Sequence, residues 1–127
     1  MKKIFIADDR KTNYIALRTA IDEIMPGCEI SYASNGREVV NLVEKEKPDL
    51  ILMDVLMPLM DGIEATAEIR KKYSAKELPI IAMTAQDKAA ASKVVLEAGC
   101  NEYLIKPYSL SELTEKVSAY LLTDKKS

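Results

Sequence analysis

At 127 residues the chain suits a single domain, large enough to bury about 68% of the surface its unfolded form exposes and to fold without a disulfide or structural metal. Its 18 basic and 20 acidic residues leave a formal charge of −2, and no Lys/Arg stripe follows a helix or glycine-rich segment, which argues against direct nucleic-acid binding. The absence of histidine excludes Ser-His-Asp and Cys-His nucleophile schemes, imidazole acid–base catalysis and a phosphohistidine-carrier role for this chain.

Met1-Lys2-Lys3 leads straight into an apolar strand over 3–7, too short for a signal h-region or a membrane span. A helix is expected over 12–25, where Ile15, Ala16, Leu17, Ala20, Ile21 and Ile24 fall near helical spacing and Pro26-Gly27 ends it. The next strand reads as 28–33, followed by a helix that opens at Ser34-Asn35-Gly36, buries Val39, Val40, Leu42 and Val43, and stops before Pro48. An apolar strand over 50–53 ends at Asp54, and a loop through Met57-Pro58 to Asp61-Gly62 leads into a helix over 63–73. A fourth strand over 79–83 precedes a helix over 88–98, with Gly99 suited to its left-handed C-cap. The fifth strand spans 101–105, and the last helix starts at Ser109 with Glu112 at capping-box spacing and runs to 122. Strands alternating with helices in this way predict βα units on a parallel sheet.

Cys28 and Cys100 stand alone, without a CxxC pair, so a zinc site or disulfide framework has little support and a reducing cytoplasm is the expected compartment.

Asp8-Asp9, Asp54 and Lys106 each close a segment that reads as a buried strand. In an open parallel sheet the carboxyl ends of neighbouring strands meet at one edge, so these residues can converge. Three carboxylates in one pocket repel unless a cation joins them, and Mg²⁺ with oxygen ligands is the common solution, which makes a metal-assisted phosphoryl site the leading reading. Each residue also has an ordinary reading. The acid pair precedes a helix and could cap it; Asp54 could be a loop acid; Lys106 could be a solvated strand end halted by Pro107. Thr84 could simply favour β structure, or its hydroxyl could donate to a phosphoryl group while Ala85 leaves room beside it. Met53, Met57, Met60 and Met83 read as gap-filling core, since soft thioethers do not suit Mg²⁺. Lys71-Lys72 and Lys125-Lys126 read as solvated surface.

Taken together, Ile6-Ala7-Asp8-Asp9, the run from Met53-Asp54 to Asp61-Gly62, Met83-Thr84-Ala85 and Tyr103-Leu104-Ile105-Lys106-Pro107 closely resemble the receiver domain of bacterial two-component response regulators across essentially the whole chain. The resemblance implies an α/β, doubly wound, five-stranded parallel sheet of order 2-1-3-4-5, the flavodoxin-like (βα)5 receiver fold, over residues 1–122, with 123–127 a polar tail or linker stub. It implies that Asp54 accepts phosphate from a histidine kinase or histidine phosphotransfer protein. Asp9, Asp54 and the backbone carbonyl of Leu56 would ligate Mg²⁺, with Mn²⁺ as an alternative ion and Asp8 holding a metal-bound water. Lys106 would pair with Asp54 and later with the phosphoryl group, and Lys106-Pro107 resembles a bond that is often cis in the family. Thr84 and Tyr103 match the family's switch pair, through which phosphorylation would bias a surface made by the fourth helix, fifth strand and fifth helix. Leu56 and Gln86 flank the phosphoryl position without a carboxylate to orient water, which predicts a moderately long-lived phosphoaspartate.

The expected function is therefore a phosphorylation-controlled signalling receiver, not an enzyme acting on a separate metabolite. A pseudo-receiver scaffold is the alternative, and the intact Asp8, Asp9, Asp54, Thr84 and Lys106 argue against it. A flavodoxin would need a phosphate loop where Asp8-Asp9 stand, and a haloacid-dehalogenase-type phosphatase would need an aspartate where Leu56 stands.

Overall fold

The computed structural model describes residues 1–85 and 87–122. Strands and helices alternate throughout: β1 Lys3–Ala7, α1 Lys11–Ile24, β2 Glu29–Ala33, α2 Gly36–Lys45, β3 Leu50–Asp54, α3 Gly62–Arg70, β4 Ile80–Thr84, α4 Lys88–Ala98, β5 Glu102–Ile105 and α5 Leu110–Leu121. All strand pairs are parallel and the sheet order is β2-β1-β3-β4-β5, the doubly wound arrangement expected. The tail expected at 123–127 lies outside the described residues.

The two-residue period of each strand divides the core between the sheet's faces. Phe5, Ala7, Ile51, Met53, Ile80 and Ala82 join α2, α3 and α4 through Val39, Val43, Ala65, Ile69 and Val95. Ile4, Ile6, Leu50, Leu52, Ile81 and Met83 join α1 and α5 through Leu17, Ile21, Leu113 and Val117. β1, β3 and β4 are buried on both faces, which is why their sequences are continuous apolar runs instead of alternating ones. The methionines expected as core are buried: Met53, Met57, Met60 and Met83 all belong to these clusters.

The differences from sequence expectation are local. In α1 the buried face is Tyr14, Leu17 and Ile21, whereas Ile15 and Ala16 point to solvent. β3 and β4 each run one residue further, to Asp54 and Thr84, because Asp54 pairs with Met83 and Thr84 with Ile105 in the ladders. α3 ends at Arg70, short of the expected residue 73. The Arg70 guanidinium takes the carbonyls of Tyr73, Ser74, Leu78 and Gly99, so the chain turns to meet it and the helix stops. Two helix ends behave as their spacing predicts: Ser109 and Glu112 form the capping box of α5, and Gly99 caps α4 at φ 112°.

Gly62 sets the height of α3 against the sheet. Its N–H donates to the Val55 carbonyl at 2.8 Å, and a Cβ at this position would lie 2.3 Å from the Asp54 carbonyl oxygen. Only a residue without a side chain lets α3 begin this close to the end of β3.

Candidate functional site

Sheet order reverses between β1 and β3, and the crevice at their carboxyl ends is where such sheets bind ligands. Asp8 follows β1 and is 3% exposed. Its N–H donates to the Ala33 carbonyl at 3.0 Å, its own carbonyl accepts from the Tyr32 hydroxyl at 2.9 Å, and its Oδ1 accepts the Arg10 N–H at 2.8 Å. The N-cap of α1 is Arg10, without a side-chain cap, so the acid pair does not serve as the helix cap that was its ordinary reading. Asp9 is exposed beside it. Asp54, the last residue of β3, is 6% exposed. Carboxylate oxygens of Asp8, Asp9 and Asp54 all lie within 4.8 Å of one another. Lys106, just past β5, donates from Nζ to Asp54 Oδ1 at 3.1 Å. These groups surround a cleft of about 460 Å³ that Asp9, Asp54, Leu56, Thr84, Ala85 and Lys106 line.

The charges do not balance within the cleft. Burial pushes the Asp54 carboxyl above its ordinary value, Asp8 and Asp9 push it the same way, and the Lys106 ammonium opposes them. Three carboxylates face the Lys106 ammonium and the exposed Arg10 guanidinium, and the carboxylate oxygens are the donors that a hard divalent cation such as Mg²⁺ takes. The residues present therefore fit such an ion on charge and ligand chemistry alike.

The remaining predicted residues fall as follows. Thr84 ends β4, is 3% exposed and lines the cleft. Leu56 lines it too, with 74% of its surface exposed. Tyr103 is half-buried on β5 and packs against the cluster that holds Ala82 and Val95. Because Tyr103 pairs with Ala82 in register, and Thr84 is two residues on, Tyr103 and Thr84 share one face of the sheet on adjacent strands. The Lys106-Pro107 bond is cis. Gln86 lies outside the described residues.

Sequence reasoning missed four neighbours of the site. Arg10 and Asn13 line the cleft from the start of α1, and only their proximity to Asp8-Asp9 could have signalled this. Asn13, Pro107 and Tyr108 line an adjoining cavity of about 270 Å³ beside Asp8 and Lys106. Burial, then the charges of Asp8 and Asp54, hold the Tyr108 phenol above its ordinary pKa. Tyr32 reaches the site from β2, and no local sequence signal announces it.

A family model described as "Response regulator receiver domain" matches residues 4–118. The chain is also similar to solved structures. The receiver domain of a sensor histidine kinase from Pseudomonas aeruginosa, with a magnesium ion coordinated in its active-site cleft, is 30% identical at a TM-score of 0.84, the match covering 96% of this chain and 98% of that one. A two-component response regulator from Clostridium difficile is 30% identical at a TM-score of 0.86, with 99% of this chain and 100% of that one covered. A protein described as a probable two-component response regulator with a GGDEF domain is 28% identical at a TM-score of 0.85; the match covers 96% of this chain and 50% of the longer protein.

Proposed function

Because this chain belongs to the response regulator receiver domain family, we propose that it is a phosphorylation-controlled receiver in which Asp54 takes a phosphoryl group from the phosphohistidine of a histidine kinase or histidine phosphotransfer protein. The observation that carries this reading is the position of Asp54: buried at a strand end, within 4.8 Å of two further carboxylates and 3.1 Å from Lys106 Nζ, at an open cleft. A carboxylate oxygen of Asp54 attacks phosphorus; the new O–P bond forms as the P–N bond to the partner's imidazole breaks, and its electron pair returns to that nitrogen. Lys106 leaves Asp54 Oδ1 to bind a phosphoryl oxygen as a point charge. The Thr84 hydroxyl donates to another phosphoryl oxygen.

Asp9, Asp54 and the Leu56 backbone carbonyl would hold Mg²⁺, or Mn²⁺ in its place, and Asp8 would bind a water on the ion. The ion, when bound, offsets the carboxylate charge and draws charge from the phosphoryl oxygens. Drawing Thr84 toward the phosphoryl group frees space on its sheet face, and Tyr103 turns into it. That ring packs in the cluster containing Val95 of α4, so the movement alters the α4–β5–α5 surface read by an output partner. The receiver turns over no separate metabolite. The free Cys28 and Cys100 suit a reducing cytoplasm, and no helix among the described residues is long and apolar enough to cross a membrane.

The test is intact mass after incubation with Mg²⁺ and a small acyl-phosphate donor. A single phosphoryl adduct is expected for the wild type and none for Asp54→Ala or for a metal-free sample. No adduct on a folded wild type would reject phosphorylation and leave a protein-binding scaffold.

A further inference from the structure

Asp8 sits one residue past the last register pair of β1 with β2, Ala7 with Ala33. Its N–H continues the ladder to the Ala33 carbonyl, but its own carbonyl has lost the ladder, because the chain beyond β2 has already turned into Asn35, the N-cap of α2. The Tyr32 hydroxyl fills that position, donating to the Asp8 carbonyl at 2.9 Å. A tyrosine on an edge strand can simply send its hydroxyl to water. Here the ring is held over that of Tyr14, with centroids 4.3 Å apart and planes inclined by 32°, and the Tyr14 hydroxyl accepts from Arg18 at 3.2 Å. The donor is therefore fixed before any ligand arrives.

From this geometry we propose that Tyr32 is a positioning residue for the Asp8-Asp9 pair and thereby sets the affinity of the cleft for a divalent cation. The inference rests on the reading of the three carboxylates as a cation site. The Asp8 carbonyl and the Asp9 N–H belong to one planar peptide, so fixing that carbonyl fixes the plane from which Asp9 leaves the chain. With the Ala33 carbonyl and the Arg10 N–H, the hydroxyl makes a third tether on Asp8. Without a cation, mutual repulsion drives the three carboxylates apart. The tethers hold the acid loop against that drift, so less ordering remains to be done when a cation enters. Tyr32 acts through the backbone of a ligand-bearing loop, as outer-sphere partners of metal ligands do.

The test compares Mg²⁺ affinity by calorimetry, with Mn²⁺ affinity by electron paramagnetic resonance, for wild type, Tyr32→Phe and Tyr14→Phe, well below all three melting midpoints. Tyr32→Phe keeps the ring pair and loses only the hydroxyl, and about tenfold weaker binding is expected, the lower end of the roughly 10–100-fold range for such partners. Tyr14→Phe removes a hydroxyl from the same ring pair without touching Asp8 and stays within about twofold of wild type. At saturating Mg²⁺ the phosphorylation rate of Tyr32→Phe returns to near the wild-type value, which general damage to the fold would not allow. Equal affinities for Tyr32→Phe and wild type overturn the inference alone. A wild type that binds neither ion overturns the cation-site reading with it.

Discussion

Asp54 carries opposing demands, since the proposed phosphate acceptor must be an anion and yet its place in the fold penalises charge. Burial raises its folded-state pKa above the unfolded value near 3.8, with Asp8 and Asp9 adding to the effect. For a raised acid the sign is fixed: the stabilising contribution is complete below the unfolded pKa and is lost as pH rises through the folded one. At neutral pH and without metal, the ionised side chain is thus a net cost to stability. Asp54→Asn is expected to raise the metal-free melting midpoint at pH 7 by roughly 2–8 °C, a gain that shrinks as pH falls through the carboxylate range. A lower midpoint for the variant at pH 7, measured by calorimetry, would mean that the Lys106 pairing outweighs desolvation. Leu56 is the second residue with a readable consequence. Exposed at the mouth of the cleft and with no polar side-chain atom to orient water, it predicts a moderately long-lived phosphoaspartate. Leu56→Asn should shorten the phosphoryl half-life several-fold; an unchanged half-life would remove Leu56 from the account.

Among the elements, α3 shows how tightly the site is built into the backbone. It begins with its own capping box, Asp61 with Glu64, immediately before a glycine pressed against the end of β3. Gly62→Ala would force α3 off the Asp54 carbonyl or shift β3, costing about 1–3 kcal/mol as overpacking does. Chemical denaturation should show that loss, and phosphorylation of the folded fraction should slow because Asp54 has moved. Wild-type stability in this variant would show that the close approach is easily relaxed. Most of this level was legible in sequence: the apolar runs located every strand, and Gly99, Ser109 and Glu112 announced their caps by type and spacing. What was not legible is what depends on partners distant in the chain. Asp54 and Thr84 belong to strands only because β4 and β5 offer them ladder partners, and α3 stops early because Arg70 bonds carbonyls as far along as Gly99. Ile15 fits the apolar spacing of α1 yet faces solvent, since periodicity permits a stripe wider than the one the sheet covers.

At the scale of the whole molecule, the sheet joins chemistry at one edge to a surface some distance from it. The acid residues could be grouped from sequence because all of them close strands, but Tyr32 could not, because its reach to Asp8 exists only once β1 and β2 are in register. The same logic of register supports the switch. Thr84 and Tyr103 share a face on adjacent strands with the small Ala82 opposite Tyr103, and Tyr103 packs in the cluster that includes Val95 on α4. A two-state surface needs a discrete side-chain move at one end and a packed element to bias at the other; in the proposed switch Tyr103 would make the move and α4 would be the packed element. Phosphorylation should therefore change amide exchange chiefly in α4 and β5, leaving α1 and α2 near their unphosphorylated rates. In Thr84→Ala the adduct should still form, because Asp54 and Lys106 remain, while the exchange change in α4 and β5 falls by more than about half. If Thr84→Ala responds like the wild type, or if the change maps to α2, the signal does not pass through Thr84 and Tyr103, and the route from the cleft to the surface must lie elsewhere in the sheet.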